Sequence, residues 1–417
     1  MDKIFSAGEI LLPHNEAMPL WSVIACDQYS SRPDYWEDVE NRVGDQPSTL
    51  KLMIPEAFLE TRDPSKLREQ IKTTMNEYLN GDVFRTIKDS YIYVERDMTV
   101  GEKRRGIMGL MDLEEYNFRK GSVSSIRSTE GTVESRLPAR VELRKEASIE
   151  LPHVVLFIDD PDNIVFSSLE TGDELYNFDL MDGGGHIIGK QISGKGAEKL
   201  DSALSDLWSR ENLEKRYGPH DGGYARMAVG DGNHSLAAAR LCWEEIKANL
   251  SPEEQKNHPA RFALVELVNI HDKSIQFQPI HRLISKTDPS AFLNEAKEYF
   301  SNISKGSENQ RELTLYAGNE SASASISGYT VGEIIALAQK FCENYMENHG
   351  GEIDYIHDDD ALISLSSKEN SCGILLPTIR KDELFGSIIK SGPFPAKSFS
   401  IGPAKDKRYY LECRKIK

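Results

Sequence analysis

The residues best placed to do chemistry lie in one run, Val229-Gly230-Asp231-Gly232-Asn233-His234-Ser235, between a short apolar stretch (Ala225–Val229) and a helical pattern. Glycines just ahead of a helix let an anion approach the main chain. The helix's first turn supplies unpaired N–H groups and a partial positive charge. Asp231 can bind a metal ion or accept a proton, and His234 can contact phosphate or move a proton near neutral pH. The plainer reading makes Asp231 or Asn233 an N-cap, and Gly230 and Gly232 turn glycines.

Further upstream, Arg127, Glu130, Thr132, Arg136, Arg140 and Arg144 form the most basic stretch of an acidic chain. Forked guanidiniums suit phosphate oxygens, and Glu130 is suited to bind Mg²⁺ or act as a general base. Steps of four put Arg136, Arg140 and Arg144 on one helix face. The alternative is a solvated face paired with Glu134, Glu142 and Glu146. His281-Arg282 can reach a substrate or merely cap a hairpin. Lys397 and Ser398 follow a rigid turn, Gly392-Pro393-Phe394-Pro395, and an extended loop there can lay Lys397 against a phosphate or leave it in solvent. Gly183-Gly184-Gly185-His186 lacks the Lys-Ser/Thr of a P-loop and reads as a hairpin turn. Cys26, ahead of Asp27, Gln28 and Tyr29, has no neighbouring histidine in sequence and reads as core. Serine-hydrolase elbows and His-Glu-x-x-His zinc patterns do not occur.

Several elements are needed to position these residues. The spacing predicts helices over Pro64–Leu79, Gly196–Tyr217, Ser235–Leu250, Pro289–Phe300 and Val331–Tyr345. In Ser235–Leu250 the apolar residues Leu236, Ala239, Trp243, Ile246 and Leu250 share one face. Strands are predicted at Ser90–Glu95, Gly106–Met111, His153–Ile158, Leu313–Tyr316 and Ala322–Ile326. Tyr176–Met181 and His186–Ile192 form a hairpin, and Phe262–Ile270 with Ile275–Ile284 a strand pair. A boundary near 287 divides an N-terminal part (1–287) from a smaller C-terminal α+β domain (288–417), whose late loop, 393–400, can return to the site.

Composition narrows the function. The 417 residues carry a net charge of −17, with 67 acidic against 50 basic side chains. A broad DNA-binding surface is therefore not the expectation. No run approaches the roughly 18 apolar residues of a membrane span, and no secretory signal is seen. Five unclustered cysteines argue against disulfides and cysteine-held zinc, and for a cytoplasmic location.

The landmark segments, in order, resemble the bacterial and archaeal family known as domain of unknown function 1015. Val229–His234 is similar to its Ala-Asp-Gly-His-His-Arg segment. Ile126–Thr132, followed by Ser135-Arg136-Leu137, resembles its His-Glu-x-Thr region. Gln278–Leu283 resembles its Pro-Thr-His-Arg element, and Pro395–Ser400 its late Pro-x-Lys-Ser segment. The Asp-Gly-x-His loop also resembles the ParB/sulfiredoxin superfold, which includes ParB proteins, sulfiredoxin and free-serine kinases. Where many such sequences have arginine, this one has Ser235.

The resemblance implies an α+β protein with mixed sheets and packed helices around a ParB/sulfiredoxin-like core. It implies a nucleotide-dependent phosphotransferase acting on a small hydroxyl-bearing metabolite such as a free amino acid. The alternative is a ParB-like nucleotide-binding regulatory or DNA-associated protein without metabolic catalysis. Asp231, His234 and Glu130 would be catalytic, with Glu130 and Asp231 also the Mg²⁺ ligands. Gly230, Gly232, Asn233, Ser235, Arg127, Thr132, Arg136, His281, Arg282 and Lys397 would bind ATP or another nucleotide. The expected partners are a substrate and a nucleotide, with a homodimer allowed for, and neither DNA nor a membrane.

Overall fold

A computed structural model describes residues 3–14, 16–119 and 121–417, the side chain of Arg136 excepted. The α+β expectation holds: helices pack on two main sheets, the larger of mixed direction.

Nine strands of the 11-stranded sheet run in one path: Glu174–Asp179, His186–Ile192, Phe84–Asp97, Lys103–Asp112, Phe262–Asn269, Val155–Ile158, Met227–Asp231, Ile126–Ser128 and Tyr116–Asn117. The first five are mutually antiparallel, and Glu174–Asp179 with His186–Ile192 is the predicted hairpin. Toward the other edge, Met227–Asp231 is antiparallel to Val155–Ile158 but parallel to Ile126–Ser128. Central strands buried on both faces need apolar residues at every position. Val155 and Phe157 accordingly enter one core, Leu156 and Ile158 the other.

The second sheet has five strands in the order Glu320–Ile326, Arg311–Ala317, Ser371–Leu375, His281–Ser285 and Glu352–Ile356, all antiparallel. The core it shares with the large sheet includes Phe157, Phe277, Phe292, Phe394 and Phe399.

Two expectations are corrected. Phe262–Ile270 and Ile275–Ile284 do not pair, because both hydrogen-bonding edges of Phe262–Asn269 are taken by Lys103–Asp112 and Val155–Ile158. The chain instead gives Phe277–Pro279 to Phe399–Ile401 and His281–Ser285 to the second sheet. The predicted Gly196–Tyr217 helix is two, Gly194–Leu207 and Arg210–Tyr217, because the Ser209 side chain accepts the Asn212 N–H and starts a new helix.

The last residues thread back into the large sheet's surroundings. Tyr409–Tyr410 pairs with Val23–Ile24, and Arg414–Lys415 with Ile149–Glu150. Buried arginines fasten this segment: Arg96 donates to the carbonyls of Gly184, Lys405 and Lys407, and Arg104 to that of Asp406. Burial lowers the Arg96 pKa to about 9, with Arg104 adding repulsion.

Candidate functional site

Parallel register brings two loops side by side. Ile126, Arg127 and Ser128 lie beside Met227, Ala228 and Val229, and the Thr129 hydroxyl donates to the Val229 carbonyl at 2.6 Å. The first strand ends at Ser128 while its neighbour runs on to Asp231, and beyond them the Val133 amide donates to His234 Nε2 at 3.3 Å. That contact assigns the ring proton of a neutral His234 to Nδ1.

The helix Asn233–Lys247 starts without a side-chain cap; its N-cap is Gly232 at φ 82°. A Cβ on Gly232 would lie 2.9 Å from Val154 Cγ2 and 3.0 Å from its Cα, so only glycine fits both the turn and the space. The N-cap reading of Asp231 or Asn233 is thereby set aside. Among the described residues, no acceptor meets the amides of Asn233 and Ser235. Two polar atoms in the same loops, Thr132 Oγ1 and Asn233 Oδ1, are buried without a partner.

Asp231 is held on both sides. Oδ1 accepts the Gly232 amide at 2.9 Å, and Oδ2 lies 3.1 Å from Lys407 Nζ. Burial raises its pKa, but Lys407, His153 and the Gly232 amide outweigh burial and leave it below the usual aspartate range.

A third loop closes the corner. The Phe394 amide donates to Thr129 O at 2.7 Å, and the Gly131 amide to Phe394 O at 2.9 Å. Glu130 Oε1 then accepts the amides of Ser398 at 2.9 Å and Phe399 at 3.3 Å. Lys397 has φ 61°, a left-handed conformation seldom adopted by a long side chain, and its side chain is exposed. Burial raises the Glu130 pKa, partly offset by the amides of 397–399 and the Lys397 charge. His357 also feels this corner: burial, then Lys397, His281 and Lys407, depress its pKa.

Other expected ligands are committed elsewhere. Arg127 donates to the carbonyls of Ser124, Gly222 and Gly223, which pins the 222–223 turn. His281 is fully buried: Nε2 meets Asp359 Oδ1 at 2.7 Å while Nδ1 accepts the Leu376 amide at 3.1 Å. Arg282 donates to Gln339 and to the carbonyls of Ile280 and Lys397, so it holds the Lys397 loop from behind; its buried Nη2 has no partner. Ser235 Oγ sits 3.2 Å from His153 Nε2. The Arg136 side chain lies outside the described residues. Arg140 pairs with Glu56 and Arg144 with Glu150, not with the neighbouring helix acids.

Sequence reasoning missed Lys407, His357 and His153. Lys407-Arg408 stands before Tyr409, Tyr410 and Leu411, and a charged pair leading into an apolar run near the chain end was the available signal. His357 precedes three aspartates, and no pattern in the sequence singles it out. The residue pattern predicts a strand from His153, whereas the strand starts at Val155.

A family profile described as "Protein of unknown function (DUF1015)" matches residues 9–341. The chain belongs to this family. No functionally curated protein matches it. Solved structures similar to this DUF1015 chain include a free serine kinase in complex with AMP, at 12% identity and TM-score 0.36, covering 74% of this chain and 91% of that one. Also similar are C-terminally truncated SbnI from Staphylococcus aureus (8% identity, TM-score 0.34, 71% and 82% covered) and a conserved hypothetical protein from Pyrococcus furiosus (12%, 0.32, 72% and 90%). Superpositions this loose leave the chemistry to be argued from the site itself. Among the described residues of the DUF1015 chain, no helix is long and apolar enough to cross a membrane.

A resident metal does not fit this corner. Among the described residues no three acidic, histidine or cysteine side chains converge. Asp231 faces an ammonium, and Glu130 is engaged by amides. A cation here would sit beside Lys407 rather than in an oxygen cage.

Proposed function

We propose that the corner built by residues 130–133, 230–235 and 397–399 with Lys407 binds the phosphates of a nucleotide. On this reading the protein is a cytoplasmic phosphotransferase acting on a small hydroxyl-bearing metabolite. One observation carries the reading: the uncapped helix start behind Gly232, whose Asn233 and Ser235 amides lack acceptors, stands beside the unpartnered Thr132 hydroxyl and the Lys407 ammonium. Donors left unpaired in a folded protein are expensive, and an anion resolves them together.

The residues divide the work. Gly230 and Gly232 let the phosphates come close to the main chain. The Asn233 and Ser235 amides, Thr132, Lys407 and Lys397 take the negative charge. Asp231, held ionised, aims Lys407. Glu130, whose burial raises its affinity for protons, is the better general base. It would take the acceptor's hydroxyl proton as that oxygen attacks the terminal phosphorus and the nucleoside diphosphate leaves. His234 stands against the transferring group. Arg127 and Arg282 hold the flanking loops, and His281 belongs to the scaffold. Phosphoryl transfer needs mainly positioned cations and one base, which this corner supplies. Magnesium enters, on this reading, with the nucleotide as part of the substrate.

Isothermal titration with ATP, ADP and CTP, each with and without Mg²⁺, tests the reading. Saturable binding of at least one nucleotide is expected. No heat at millimolar nucleotide removes the proposal.

A further inference from the structure

A half-enclosed cavity of about 180 Å³ lies behind the same helix start, between the helices Leu137–Glu146 and Asn233–Lys247 and the 149–154 segment. Its walls are mostly apolar, and Ala147, Ala238 and Ala239 leave the space that larger side chains would fill. One end is polar and continuously hydrogen-bonded. Cys26 Sγ is 3.2 Å from Tyr410 OH, Tyr410 OH is 2.8 Å from His153 Nδ1, and His153 Nε2 is 3.2 Å from Ser235 Oγ.

Counting protons gives this end its specificity. A thiol, a phenol, an imidazole and a hydroxyl carry at least four protons, but the chain has three links. Whichever way the chain is polarised, one donor is left over, at Ser235 or at Cys26. The cavity therefore offers a hydrogen bond to an acceptor atom. Burial pushes the Cys26 thiol up to about 12 and the Tyr410 phenol well above its usual value, so both stay neutral. The charged side chains in the wall are matched: Arg140 with Glu56 and Arg144 with Glu150. Nothing here selects a charged ligand.

We infer that this cavity is a second small-molecule site, for an uncharged molecule with an aliphatic body and one hydroxyl or carbonyl head. A cavity of about 150 Å³ holds a benzene-sized molecule, so roughly five or six carbons suit this one. The inference stands apart from the nucleotide reading, because it uses only the Ser235 hydroxyl and none of the amides or charged groups proposed to hold phosphate. Ser235 belongs to both, so an occupied cavity touches the first turn of the helix that bounds that corner.

Met53 and Met75 line the cavity and report on it. With ¹³C-methyl methionine in the full-length protein, 1-pentanol is expected to shift both methyls saturably in the millimolar range. Pentanoate, its charged counterpart, should leave them in place. Ala239→Leu fills the space and should abolish saturation; Ala238→Leu serves if that variant does not fold. The inference is overturned if the shifts stay linear in pentanol, if pentanoate binds equally well, or if the filled variants still saturate. Saturation by pentanol in a protein that binds no nucleotide would keep this site while removing the proposed activity.

Discussion

Lys407 places its ammonium 3.1 Å from the carboxylate of Asp231, although 176 positions separate them in sequence. The C-terminal segment is thus built against the end of the strand Met227–Asp231, and the charge balance there depends on it.

The side chains of Lys407 and Asp231 are 19% and 30% exposed, between the surface and buried limits for an ion pair. Lys407→Met is expected to cost about 1–2 kcal/mol in urea denaturation, with most of that recovered when Asp231→Asn is added. The pair's contribution is present above the ordinary aspartate range and is lost as pH falls through the lowered Asp231 pKa. Lys407→Met should therefore flatten the acid side of the stability profile. Additive single and double variants would contradict a coupled pair.

Glu130 carries the opposite sign. Its raised pKa means that the folded state holds a proton more tightly than the unfolded one, so wild-type stability falls as pH rises above about 4.5 toward the folded value. Glu130→Gln keeps an acceptor for the Ser398 and Phe399 amides without the buried charge. Its melting temperature is expected to match or exceed wild type at pH near neutrality, and the gain should vanish in acid. On the proposed mechanism the same variant loses phosphoryl transfer. A variant equally destabilised at all pH values would remove the raised-pKa argument.

Gly232 and Gly101 share a φ of 82°, but only Gly232 is crowded. Alanine at Gly101 meets nothing within 4 Å and should cost about 1–2 kcal/mol. Alanine at Gly232 adds a clash with Val154 and should cost about 2–4 kcal/mol, measured by denaturant midpoint. Equal costs would show that the turn has room to relax.

Arg408 lies between Glu266 and Glu412, all three nearly inaccessible. Arg408→Met leaves buried Glu266 with only Arg104 at 3.4 Å and buried Glu412 with only the Tyr176 hydroxyl, and about 3–5 kcal/mol of destabilisation is expected by chemical denaturation. A loss under about 1 kcal/mol would mean that the surroundings readily neutralise them.

Much of this fold was legible because its elements carry strong local signals. The helix from Asn233 buries Leu236, Ala239 and Trp243 as its periodicity requires, and the hairpin at 174–192 follows from its glycine turn. Pairing between distant strands was not legible. Phe262–Asn269 is apolar enough to be central, but nothing local says which neighbours take its edges. Glu130, Thr132, Asp231, Asn233 and Lys397 were recognisable by residue type, and segments that carry them meet through the Val133–His234 and Glu130–Ser398 hydrogen bonds. Arg127, His281 and Arg282 share that chemistry, yet the structure commits them to carbonyls, a carboxylate and backbone support. Residue type alone cannot separate a ligand from a brace. Lys407 was invisible because its place depends on Arg96 and Arg104, far upstream in sequence, gripping main-chain carbonyls beside it.

The most direct test of the account is a crystal structure of the protein soaked with ADP. Phosphate density is expected against the Asn233 and Ser235 amides, within reach of Thr132 and Lys407. ADP bound away from this helix start, or a corner that stays free of phosphate at saturating ADP, would contradict it.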